Sequence, residues 1–185
     1  MSTSTGAEVS TKPRRPQRFI TTNTSDGTSV FSTRLPDSPP SRTSPDGLEI
    51  SFCYGTTQLP PDLRDDGDLA DYEQLIATPP GIVIPGGCAA RLVDFPPGYT
   101  SPMHRTISLN YNFVVAGEVE LILDSGETRT LKQGDMAVQR AVNHKWRNVS
   151  ATEWARITAF VVPAVPPEGV EDHETGLEGV ADKMK

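Results

Sequence analysis

The chain has 185 residues, enough for one domain with a substantial core and too few for two of average size. Only 36% of its residues are apolar, with 17 prolines and 15 glycines, a composition that excludes a bundle of long helices and favours a turn-rich β protein. A net charge of −7 and a pI near 4.9 argue against a nucleic-acid partner, because that affinity comes from Lys and Arg displacing counterions.

In chain order, "MSTSTGAEVS" is polar, and no run approaches the roughly 18 to 20 apolar residues that cross a bilayer, so no membrane partner and a cytoplasmic location are expected. Residues 1–17 read as a flexible tail, 18–163 as one domain with an N-terminal strand extension, and 164–185 as an acidic tail carrying His173 into solvent. "RFITTNTSDGTSVFSTRL" predicts two short strands around an Asp26-Gly27 turn. A Pro/Ser linker, "LPDSPPSRTSPDG", leads into a strand at "LEISFCYGTT". Prolines border a 59–79 insertion whose helical piece is "DLADYEQLI", expected to cover an edge or act as a lid. From Gly81 onward short strands recur: "GIVIPGG", "AARLVDFPPG", "TISLNYNFVVAG", "EVELILDSG", "TRTLKQGDMAVQR", "NHKWRNVS" and "EWARITAFVVP". Turn signals every eight to twelve residues predict a sandwich or small barrel. Cys53 and Cys88 lack metal-type spacing and read as free thiols.

Strand alternation puts His104, Thr106, Ser108, Asn110 and Asn112 on one side and Leu109, Tyr111, Phe113 and Val115 on the other. Periodicity alone leaves open which side is interior. The polar side lines a pocket only if the apolar side is covered by another sheet, by the N-terminal strands or by a second subunit.

Gly98, five residues, His104, then Asn110, six residues and Gly117 resembles the first motif of the cupins; Gly134-Asp135 followed by His144 and Asn148 resembles the second. "PMHRT-SL-Y" and "VQR---H-WRN" are similar to a subgroup of small single-domain cupins. The resemblance implies an all-β jelly-roll (cupin) barrel of two antiparallel sheets, with a short helical insertion and flexible tails. Gly98, Gly117, Gly126 and Gly134 are then turn residues.

Metal-holding cupins use three histidines and a glutamate, whereas Thr106 and Asn110 replace two of those ligands here. The second motif is one residue short and carries Gln139 and Ala141 where proline and glycine are usual. The expected cofactor is none, or a weakly held Zn, Fe or Mn on His104, His144 and Asn110. Without a metal, His104 and His144 become an acid/base pair, with an ordinary imidazole pKa suited to neutrality. Thr106, Asn110, Gln139 and Trp146 are the candidate substrate-binding residues; Asn110 is also a candidate for holding the His104 tautomer, Trp146 for core packing, and the direction of Gln139 is open. Arg105 and Arg140 are expected to point outward into surface ion pairs. The resemblance implies a tailoring lyase or isomerase of secondary metabolism acting on a small, polyketide-like molecule, and the apolar face implies a homodimer. A metal-dependent oxygenase and a binding module without turnover are the alternatives.

Overall fold

The computed structural model describes residues 12–171. Among them, eleven strands and one α-helix follow the order β1 (Thr21–Asn23), β2 (Ser29–Phe31), β3 (Ser41–Thr43), β4 (Glu49–Thr56), α1 (Gly67–Ala77), β5 (Cys88–Phe95), β6 (Ser108–Ala116), β7 (Glu118–Leu123), β8 (Thr128–Lys132), β9 (Met136–Arg140), β10 (His144–Asn148) and β11 (Ala155–Pro163). No helix of the described residues is long and apolar enough to cross a membrane.

A six-stranded antiparallel sheet, ordered β3-β4-β5-β11-β6-β9, and a three-stranded sheet, β10-β7-β8, form the jelly roll. The turn between β6 and β7 joins the two sheets at Gly117, whose φ is +70° and where a Cβ would lie 2.6 Å from the Trp154 carbonyl oxygen, so only glycine fits. Leu48, Phe95, Tyr99, Val114, Val119, Leu131, Trp146, Ala155 and Ile157 fill one end of the interior. Ile84, Ala89, Ala159 and Val161, with Phe52, Leu75 and Ile82 beside them, fill the other.

The N-terminal strands divide their roles. β1 and β2 pair only with each other, so the expected extension of the main sheet comes from β3 and β4 instead. β3 lies inside the stretch read as a linker, where Ser41, Arg42 and Thr43 pair with Ser51, Ile50 and Glu49 across a turn at Gly47. Arg18 ties the hairpin region to the barrel by donating to the carbonyls of Cys53 and Pro36 and to the Tyr72 hydroxyl. On α1, Leu69 and Tyr72 are buried one turn apart, and the Tyr72 hydroxyl donates to the Phe52 carbonyl on β4 at 2.6 Å. Farther N-terminal, Lys12 pairs with Glu49, and Arg156, held by Asp94 through two bonds of 2.6 and 2.7 Å, donates to the Arg14 carbonyl. The expectation for residues 1–11, for 172–185 and for His173 lies outside the described residues.

"GIVIPGG" is not a strand. The carbonyl oxygens of Gly81 and Ile82 accept from the Arg91 guanidinium, both at 2.7 Å, and Ile84 is buried, so the segment folds inward as a plug. Cys53 and Cys88 are free and half-buried.

The alternation of β6 resolves with its polar side inward: Ser108, Asn110 and Asn112 are buried, while Tyr111, Phe113 and Val115 are exposed. Neither the three-stranded sheet nor the β1–β2 pair covers that outer face. Phe160 and Val138 flank Tyr111 on the neighbouring strands, and Met136 pairs with Phe113, making one continuous apolar surface.

Candidate functional site

His104 precedes β6. The segment holding it runs along the free edge of β10, with isolated bridges between Thr100 and Arg147 and between His104 and His144. Each histidine amide donates to the other's carbonyl at 2.8 Å, so the backbone fixes the spacing of the two side chains. Their ring centroids lie 4.3 Å apart with planes tilted by 52°. Each Nδ1 contacts a backbone carbonyl two residues earlier, Pro102 at 2.9 Å for His104 and Val142 at 3.0 Å for His144. A carbonyl only accepts, so both neutral rings carry the proton on Nδ1 and leave Nε2 as a lone pair. Asn110 does not perform this role: the Pro102 carbonyl sets the His104 tautomer, and Asn110 Oδ1 is buried without a hydrogen-bond partner.

Electrostatics holds the pair neutral. Burial lowers the pKa of His104, opposed in part by its bond to Pro102. His144 is pushed down to about 3, mainly by burial and further by the charge His104 would carry, against its bond to Val142. The ordinary imidazole value expected from sequence therefore does not apply, because cavity walls replace the water that would solvate an imidazolium.

Both histidines line a cavity between the sheets with an empty volume of about 750 Å³, part of it open to solvent. Thr106, Asn110, Gln139 and Trp146 line it too, so the structure brings every sequence-predicted site residue to one place. Thr106 Oγ1 bonds the Ser108 hydroxyl at 3.0 Å, and Trp146 meets His144 edge-on at 6.2 Å while also belonging to the core cluster. Gln139 turns inward from β9, and its Oε1 accepts from Asn112 at 2.9 Å. The short loop after β9 turns sharply at Ala141, where φ is +52° and the amide donates to the Ser108 carbonyl. Arg105 pairs with Asp124 at 3.8 Å and Arg140 is exposed on the outer face.

Asn148, the last residue of the second motif, is structural. Its buried amide donates to the carbonyls of Phe95, Pro96 and Glu153, and its Oδ1 accepts from the Ser150 amide.

Arg91 and Asn112 also line the cavity, beyond the candidates that the sequence motifs mark. A signal for Arg91 was present: in "AARLVDF", it shares the parity of Ala89, Val93 and Phe95, a cation in phase with an inward apolar face. The cavity lining contains no aspartate or glutamate, and Arg91 is its single formally charged member.

This donor set suits a divalent metal poorly. His104, His144 and Asn110 offer two imidazoles and a neutral amide with no carboxylate, and no group of three or more His, Cys, Asp or Glu among the described residues could hold an ion.

A family model described as Cupin domain matches residues 91–161. "Phomopsin biosynthesis cluster protein D" of Diaporthe leptostromiformis is 46% identical over 155 residues, 84% of this chain and 82% of that protein. "Oryzines biosynthesis cluster protein J" of Aspergillus oryzae is 39% identical, covering 80% of this chain and 83% of its own length. "Cupin-domain-containing oxidoreductase fogC" of Aspergillus ruber is 44% identical over 72% of this chain and 64% of that protein.

Proposed function

Because the chain belongs to the cupin superfamily, we propose that it is a tailoring enzyme of secondary metabolism, a lyase or isomerase that moves a proton on a small, polyketide-like molecule without redox chemistry. One observation carries this reading: two neutral imidazoles, bridged through their backbones and with ring centroids 4.3 Å apart, line a cavity free of carboxylates. Relatives named for the phomopsin and oryzines biosynthesis clusters support the tailoring role.

The roles follow from burial. His104 is the less buried ring and serves as the base, while burial holds His144 neutral. His104 Nε2 takes a proton from a carbon beside a carbonyl, and the electron pair left behind moves onto the carbonyl oxygen. His104 then returns the proton, either to a leaving hydroxyl, releasing water, or to a neighbouring carbon, moving a double bond. His144 stays neutral and accepts a hydrogen bond from the substrate through Nε2. The charge on His104 opposes a second proton on a ring so close, so the pair carries one proton at a time.

The oxidoreductase name of a relative, together with the unpartnered Asn110 Oδ1, favours a second reading as a metal-dependent oxygenase. The deciding experiment uses the compound that accumulates when the gene is deleted. Its conversion by chelator-treated protein, lost in His104→Ala and His144→Ala with the fold intact, supports the acid/base enzyme. Conversion that needs added iron or manganese and dioxygen supports the oxygenase, and binding without conversion supports a ligand carrier.

A further inference from the structure

Arg91 is a buried cation without a counter-ion. It is 4% exposed, and none of the ion pairs among the described residues includes it. A guanidinium has five N–H donors. Two are used, Nη1 to the Ile82 carbonyl and Nη2 to the Gly81 carbonyl, and the Phe52 ring lies 5.3 Å from Cζ. Nε is buried with no partner. Burial pushes the pKa down only to about 10, so the charge persists at neutral pH. Neutral carbonyls and a ring face leave such a charge incompletely balanced.

Its place on the barrel wall is informative. Arg91 and Asn112 both pair with Ala159, which lies between them on β11, so their Cα atoms are about 10 Å apart across two strand spacings. The small Ala159 side chain lines the cavity between them. In the next row, Val161 pairs with Asn110, and Asn110 with Gln139. Gln139 Nε2 is also a buried donor without a partner. Along β6 the rows then pass from Asn112 through Asn110 to Ser108, toward the segment bearing Thr106 and His104.

We propose that the cavity's natural occupant carries a carboxylate that docks on Arg91, with Nε and the remaining guanidinium hydrogens donating to it. This deepens the acid/base reading and rests on its use of the same cavity. A carboxylate supplies what the wall lacks, a negative charge with acceptor lone pairs facing unused donors. Anchoring at Arg91 would lay the rest of the molecule along the amide rows toward the histidines, which makes Arg91 a specificity residue for small organic acids.

The test follows the Nε–H signal of Arg91 by NMR in the ¹⁵N-labelled full chain, assigned by its loss in Arg91→Lys. Benzoate is the probe and benzamide its neutral counterpart of the same shape. A benzoate-dependent shift with an apparent Kd of ~1 mM, the order expected of one charge-assisted anchor, and benzamide at least ~10-fold weaker, supports the proposal. Equal response to benzamide, or no response to benzoate at ~10 mM, overturns it. Should Arg91→Lys not fold, the signal is assigned in the ¹³C,¹⁵N-labelled wild-type chain through its scalar connection to the Arg91 side-chain carbons, and the contrast is read there. The same titration in His104→Ala separates the two readings. Benzoate binding that survives while no histidine-dependent turnover is found sinks only the acid/base mechanism. Histidine-dependent turnover with no benzoate response sinks only the anchor.

Discussion

His104 and His144 hold each other in place through the main chain: two reciprocal bonds of 2.8 Å pair their backbones, and the ring centroids lie 4.3 Å apart. The backbone bridge fixes the separation of the two Cα atoms, and the bond from each Nδ1 to a carbonyl of its own segment opposes rotation of the ring. The geometry predicts a tautomer. Ring-¹⁵N NMR at pH 7 should show both histidines neutral with the proton on Nδ1, and His144 should remain unprotonated well below pH 5. Protonation of His144 near pH 6.5, the unperturbed value, would contradict the picture of a ring desolvated by burial.

The same shifts set a pH dependence of stability. Both imidazoles have a folded-state pKa below the unfolded value of about 6.5, so between the two values the unfolded chain binds more protons. Their contribution is complete above pH ~6.5 and declines as pH falls toward the folded values, by about 1.4 kcal/mol per pH unit for each ring that stays neutral. Urea unfolding from pH 7 to 5 should show this decline. His144→Gln should flatten it; an equally steep limb in that variant would assign the loss to other groups.

Asn148 tests the reading of the second motif as partly structural. Removing its side chain in Asn148→Ala strips one shared donor from three carbonyls and an acceptor from the Ser150 amide, inside a site that is 2% exposed. The expected loss is about 2–3 kcal/mol in urea unfolding, with the histidine NMR signals of the remaining folded protein unchanged. A loss under ~0.5 kcal/mol would place the residue outside the structural role.

The uncovered face of the six-stranded sheet supports a second copy of the chain as its cover. Tyr111, Phe113, Val115, Met136, Val138 and Phe160 are 37% to 47% exposed and adjoin one another across β11, β6 and β9. These six side chains are uncharged, with Arg140 beside them on the same face, and the patch reaches the edge strand β9, so two copies related by a twofold axis can present the same surface to each other. Sedimentation should give a dimer for the wild-type chain and a monomer for Phe113→Glu combined with Val138→Lys. A wild-type monomer at micromolar concentration would remove the homodimer.

Much of this was legible before any coordinates. The alternation from Ser108 to Asn112 placed the polar face correctly once the paired glycine and histidine spacings pointed to a barrel, whereas His104 and Thr106 lie outside β6, His104 on a segment bridged to His144, and reach the cavity by that route; the Asp26-Gly27 turn marked its hairpin. Three features were not legible, each for a physical reason. The histidine pKa values depend on how completely two distant segments exclude water, which no local pattern records. β3 hides in a Pro/Ser stretch because a three-residue strand is fixed by its partner, not by its own propensity. "GIVIPGG" has a strand's composition, yet the carbonyls of Gly81 and Ile82 are taken by the side chain of Arg91, on the strand β5 that follows it. Arg91 was visible as a cation in an apolar row, and its meaning emerged only when no acid was found beside it.

The most direct test of the central claim is turnover in D₂O under argon, with the protein dialysed against a chelator and given the compound that accumulates when its gene is deleted. Proton transfer through the His104 and His144 pair predicts a product formed at its usual extent, carrying solvent deuterium at carbon where a double bond has moved, because the proton held on His104 exchanges with solvent before it is returned, or differing from the substrate by one water. His104→Ala should lower the rate by about 10²- to 10⁴-fold. A product that forms only when dioxygen and iron or manganese are restored, and that gains oxygen or loses two hydrogens, would contradict the account.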